Sequence, residues 1–177
     1  MKRAIALLEK HNLLKIISDE LDINLEIPHI AYVEVKRPDS KAILFTNVVD
    51  RKNSKKFKEP VLMNVFCNED AVKLFIGDGD KIGSEIESLL KLKPPVTFSE
   101  KLSTLGKLFS LKNTIPKKIK GKGICQEVIK LGADAKLSDL PVIKTWEEDG
   151  GAFITMGQVY TQSLNGELKN LGMYRLQ

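Results

Sequence analysis

Two extended runs joined by a glycine turn, near the end of the chain, constrain its fold more than any other feature. Ala152 to Thr161 and Leu168 to Leu176 are rich in β-branched and aromatic residues, the types that suit a pleated, half-buried surface. Between them, Gln162-Ser163-Leu164-Asn165-Gly166-Glu167 carries an Asn-Gly pair, which tolerates the positive φ of a tight hairpin turn. The pattern predicts an antiparallel hairpin. Side chains alternate faces along a strand, so Asn170, Gly172 and Tyr174 share one face and Leu171, Met173 and Arg175 the other, if no bulge intervenes. A guanidinium on an apolar strand face needs a carboxylate, a phosphate or solvent as its partner. The residues alone leave open the simpler case, an edge strand with Arg175 in water.

The rest of the chain supplies helices and further strands. Lys2 to His11 reads as a short amphipathic helix stopping near Asn12, followed by the apolar run Leu13 to Ile17. Leu25 to Val35 places Ile27, Ile30, Ala31 and Val35 on one helical face, with Pro28 in the first turn, where a missing N–H costs nothing. Lys41 to Val48 and Pro60 to Phe66 read as strands. The basic loop between them, with Arg51, Lys52, Lys55, Lys56 and Lys58, reads as a solvated hairpin tip. Glu69 to Ile76 is helical with Asn68 as N-cap, Gly77-Asp78-Gly79-Asp80 interrupts it, and Lys81 to Leu92 follows with Asp80 as cap. Gly77-x-Gly79 is a weak phosphate-cradle pattern, since it follows a helix and lacks a third glycine. Ser99 to Leu111 is a further helix, and Lys112 to Lys122, basic and without an acid, is a candidate linker. Ile124 to Leu131 reads as a strand and Leu137 to Pro141 as a short helical turn. Mixed helices and strands up to about residue 111, then strands alone, point to an α/β or α+β domain followed by the opening of a barrel.

Composition excludes several classes. The excess of 28 Lys and Arg over 23 Asp and Glu suits a polyanionic partner only mildly, and the Lys112 to Lys122 run has no interleaved aromatics for base stacking. No nucleic-acid partner is expected. Cys67 and Cys125 lack metal or disulfide spacing and read as buried free thiols. Charge interrupts the start too early for a signal peptide, and no apolar run reaches the roughly 18 residues of a membrane span. A soluble, cytoplasmic protein is expected.

Asp139-Leu140-Pro141-Val142, then Trp146-x-x-Asp149-Gly150-Gly151-x-Phe153-Ile154-Thr155, then Asn170-Leu171-Gly172-Met173-Tyr174-Arg175 together resemble the signature of the UbiD-type decarboxylases. These are the 3-polyprenyl-4-hydroxybenzoate carboxy-lyases and their relatives, which use prenylated FMN. The earlier chain also resembles that family's N-terminal domain. The resemblance implies an N-terminal α/β domain over residues 1–120. Residues 121–177 would then start a central split β-barrel, similar to flavin reductases, that binds prenylated FMN. It further implies that Asn170 ligates the manganese bridging to the cofactor phosphate. Thr155, Met173, Tyr174 and Arg175 would contact the cofactor, with Arg175 the catalytic residue beside the substrate carboxylate. Trp146 and Phe153 read as packing aromatics.

The implied reaction is non-oxidative decarboxylation of an aromatic or α,β-unsaturated acid, such as a polyprenylated hydroxybenzoate of ubiquinone synthesis or a naphthoate of menaquinone synthesis. The implied partners are that acid, a flavin prenyltransferase supplying cofactor, and further copies of the full-length chain. A lipid-tailed substrate would add peripheral contact with the inner membrane. The family's other metal ligands, a His and a Glu, and its proton-transferring acids lie further along than Gln177. The expectation is therefore an N-terminal fragment or truncated copy, inactive alone. The competing reading is a non-catalytic assembly module or degenerate copy that pairs through its exposed edge strand.

Overall fold

The computed structural model describes residues 1–91 and 120–177. Over these, α1 (Lys2–Lys10), β1 (Leu14–Asp22), α2 (Glu26–Val35), β2 (Ala42–Asp50), β3 (Lys55–Lys56), β4 (Val61–Met63), α3 (Glu69–Ile76), α4 (Gly79–Leu90), β5 (Ile154–Gln162) and β6 (Lys169–Leu176) follow in order. The chain divides into two compact units, Met1–Gly77 with Lys136–Gln177, and Asp78–Ala135.

In the first unit β2 is the centre of a four-stranded sheet. It pairs in parallel with β1, from Leu14↔Ala42 to Asp22↔Val49, and antiparallel with β3 and β4. A parallel pair needs a crossover, and α2 lies in the β1 to β2 connection. Ala42, Ile43, Leu44 and Phe45 are all buried, the continuous apolar run of a strand covered on both faces. Phe45, Ile43, Val48, Ile23, Phe57 and Val61 form the core with Ile27 from α2, and Ile143 joins them from far along the chain. Pro28 sits within the first turn of α2 as its missing N–H requires.

The strand β1 runs on through Asp19-Glu20-Leu21-Asp22, which its polar composition does not announce. A register shift between Ile17 and Glu20 marks a bulge there, and the buried Asp22 closes the strand's end. Its carboxylate accepts from the Asn24 N–H at 2.9 Å and from the Arg51 N–H at 3.2 Å. Glu26 accepts from the Asp22 N–H at 2.8 Å and pairs with the Arg51 guanidinium. That N–H bond, then the Arg51 hydrogen bond, hold the Glu26 carboxyl below its ordinary value. A depressed folded value stabilises the fold above the ordinary carboxylate range and loses that contribution as pH falls through it. The thermal midpoint of Arg51→Gln should accordingly fall below wild type at neutral pH, and the gap should close as the pH drops below 4.5, Glu26's ordinary value.

The basic 51–58 loop is a hairpin tip, but three of its cations are engaged rather than only solvated. Arg51 meets Glu26, Lys55 meets Asp139 at 3.0 Å, and Lys56 meets Glu20 at 3.7 Å. Residues 136–153 are stitched to the sheet. The Lys144 N–H donates to the Ile23 carbonyl and the Leu25 N–H to the Lys144 carbonyl, each at 3.1 Å, and the Phe153 N–H donates to the Ile143 carbonyl at 2.9 Å. Leu25, at φ 70°, is held in the left-handed region, costly for a γ-branched residue, at the turn where these bonds converge. Cys67 is buried and free, and burial pushes its thiol up.

Asn68 caps α3, accepting from the Ala71 N–H at 2.9 Å, and Gly77 at φ 97° ends it. In the second unit Asp78, not Asp80, caps α4, because its carboxylate reaches the Asp80 N–H at 3.1 Å and the helix starts two residues early. Ile124 to Leu131 is not a strand. It contains a 3-10 turn, Ile124–Gln126, and Ile124, Val128, Ile129 and Leu131 are exposed. An apolar run becomes a strand only where a neighbour pairs with it, and none does among the described residues. The expected helix Ser99 to Leu111 and most of the Lys112 to Lys122 linker lie outside the described residues. Leu137–Asp139 is the expected short helical turn.

Candidate functional site

The predicted hairpin forms, with β5 antiparallel to β6 from Gln162↔Lys169 to Ile154↔Leu176. Gly166 takes φ 77° and the Ser163 N–H donates to the Leu168 carbonyl at 2.9 Å, closing the turn. On β6 the alternation holds. The Asn170 amide Nδ2 donates to the Tyr174 hydroxyl at 3.5 Å, a long bond, along one face. Gly172 lies between them, and a Cβ there would come 2.5 Å from Tyr174 Cε2. Tyr174 therefore reaches Asn170 only because position 172 has no side chain.

A bulge falls on the other strand. Gly157 pairs with Tyr174 and Ile154 with Leu176, so Thr155 and Met156 together oppose Arg175. Bulges of this kind re-aim side chains and occur often beside active sites. Arg175 is exposed, and its guanidinium carbon stands 4.5 Å from the centroid of the Phe153 ring, within cation–π range. Among the described residues no carboxylate lies within ion-pair distance of it. The structure thus sets Arg175 beside Thr155 at the bulge, with Met173 on the same strand face, and Asn170 with Tyr174 on the opposite face. Phe153, by sequence a packing aromatic, instead carries the Arg175 guanidinium against its ring. The signal that would have found its contact is the register, which the bulge shifts by one residue.

As a donor set, Asn170 fits one place in a metal site. Its amide nitrogen is turned to Tyr174, leaving the hard oxygen for a cation. Among the described residues no group of three or more His, Cys, Asp or Glu could hold a metal, so Asn170 would be one ligand of a larger set. Arg175 fits an anion. Two clefts in the first unit include neither Asn170 nor Arg175. One of about 630 Å³ lies between α2 and the 145–147 loop, where Tyr32 and Trp146 meet edge to face at 5.3 Å. The other, about 770 Å³, is lined by Leu137, Leu140, Ile154 and Leu176. No helix of the described residues is long and apolar enough to cross a membrane.

Comparison with known proteins gives a consistent family. Residues 5–90 match the model for the 3-octaprenyl-4-hydroxybenzoate carboxy-lyase N-terminal domain, and residues 117–177 match that for the carboxy-lyase Rift-related domain. An uncharacterised protein of Helicobacter pylori is 44% identical over 182 residues, covering 100% of this chain and 29% of its own length. One from Aquifex aeolicus is 38% identical over 173 residues, covering 96% and 34%. Among solved structures, the closed form of the vanillic acid decarboxylase of Sedimentibacter hydroxybenzoicus matches with a TM-score of 0.69 at 20% identity, over 99% of this chain and 34% of that one. An evolved dimeric form of the UbiD-class enzyme HmfF from Pelotomaculum thermopropionicum, in complex with prFMN, matches with a TM-score of 0.54 at 21% identity, over 99% and 35%. These likenesses show a shared mixed α/β fold. The chain spans about a third of the length of the relatives it matches. It belongs to the UbiD carboxy-lyase family, matching that family's N-terminal and Rift-related domains.

Proposed function

We propose that this chain supplies the N-terminal part of a non-oxidative decarboxylase that acts on an aromatic or α,β-unsaturated acid, such as 3-polyprenyl-4-hydroxybenzoate in quinone biosynthesis. In this reading residues 1–120 are the N-terminal α/β domain and residues 121–177 open a split β-barrel similar to flavin reductases. The observation that carries it is Arg175, an exposed guanidinium with no carboxylate partner among the described residues, oriented at a bulge. A planar fork of donors suits a substrate carboxylate.

Asn170 and Arg175 stand five residues apart, roughly 17 Å along a strand, and on opposite faces. They suit the two ends of one extended ligand that crosses the free edge of β6, which pairs only with β5 among the described residues. Asn170 would hold a manganese ion at the phosphate end, and Thr155, Met173, Tyr174 and Arg175 would lie along the flavin. Prenylated FMN, when bound, supplies the electron sink for loss of CO₂. A flavin prenyltransferase would supply the cofactor, further copies of the full-length chain would assemble with it, and a lipid-tailed substrate would bring it to the inner-membrane surface.

The test is the composition of the protein isolated from its native cell. It should carry flavin absorbance and manganese, and Asn170→Ala should lower manganese occupancy about tenfold or more, as loss of a direct ligand must at least match loss of a ligand's supporting partner. A protein free of both, or an Asn170→Ala variant with unchanged manganese, would remove the reading. The non-catalytic assembly reading is favoured by one observation, the exposure of Leu164, Leu168, Leu171 and Met173 along the hairpin. It predicts self-association of the flavin-free chain through β6.

A further inference from the structure

We infer that Phe153 is a positioning residue for Arg175, and that the bulge at Thr155 and Met156 is what delivers its ring to the guanidinium. The inference rests on the reading of Arg175 as a carboxylate holder. Counted back from Gln162↔Lys169 without an extra residue, Arg175 would oppose Met156 and share a face with Ile154, leaving Phe153 on the far side. The observed pair Ile154↔Leu176 sets Arg175 against Thr155 instead, and Phe153 becomes its diagonal neighbour on the same face, within reach of a long side chain. The ring then lies 4.5 Å from the guanidinium carbon.

Phe153 itself is tied down. Its N–H donates to the carbonyl of Ile143, whose side chain is buried with Phe45 and Ile27 in the core. The backbone that carries the ring is thus tied to a segment anchored in the core rather than to the hairpin's tip. An arginine free in water loses much rotamer freedom when it grips an anion, and one already resting against a ring loses less. The guanidinium keeps its N–H donors for a ligand, since a ring face engages the cation without accepting them all.

The test uses this chain, with benzoate as the probe carboxylate. In proton–nitrogen spectra the Arg175 Nε–H should be displaced upfield by the Phe153 ring current. Phe153→Leu should abolish that displacement and weaken benzoate about two- to fivefold, the equivalent of one exposed cation–π contact. Phe153→Trp should preserve both, which separates loss of the ring from loss of the fold. An Nε–H resonance that is the same in wild type and Phe153→Leu overturns the inference. So does unchanged benzoate affinity in Phe153→Leu when Arg175→Ala has lost it. If Arg175→Ala binds benzoate as wild type does, the carboxylate-holding reading itself fails, and the inference with it.

Discussion

Replacing Ile143 with Ala is expected to destabilise the unit formed by residues 1–77 and 136–177 by about 2–5 kcal/mol, the range for truncating a buried aliphatic side chain. Ile143 is 6% exposed and packs among Ile23, Ile27, Phe45 and Val61. These partners come from the first half of the chain. The backbone on either side is bonded to Ile23, Leu25 and Phe153, so the site has little freedom to collapse around the cavity. The urea midpoint should fall with the slope unchanged. A loss below about 0.5 kcal/mol, the level of ordinary surface substitutions, would mean that the later segment merely rests on the sheet.

That interlock was the least legible part of the fold. The hairpin could be read from Asn165-Gly166 and its flanking β-branched runs, and α2, α3 and the cap at Asn68 from periodicity and local chemistry. These are short-range signals. The return of Ile143 to the first sheet is a long-range contact that no window of sequence contains. The exposed stretch Ile124 to Leu131 misled for the converse reason. It has the composition of a strand but no partner among the described residues. Within the candidate site, the alternation that sets Asn170 with Tyr174 was legible, because β6 is regular. The contact of Phe153 with Arg175 was not, because one extra residue in β5 reverses which faces meet.

The second large effect concerns Arg175. If the proposed decarboxylation holds, Arg175→Ala should lower its kcat/KM by about 10²–10³, the usual cost of removing one preorganised donor to developing charge. Arg175→Lys should recover only part, since an ammonium keeps the charge but loses the planar fork. The side chain is exposed and forms no ion pair among the described residues, so neither variant should shift the urea midpoint by more than about 0.5 kcal/mol. Activity and stability should therefore separate at Arg175 and move together at Ile143.

The most direct measurement is release of CO₂ from hydroxybenzoate and naphthoate acids by the protein purified from its native cell and loaded with prenylated FMN. The account predicts release from at least one such acid, dependent on the cofactor and reduced in Arg175→Ala. No release from any of them by a cofactor-loaded protein, or release that Arg175→Ala leaves intact, would contradict it.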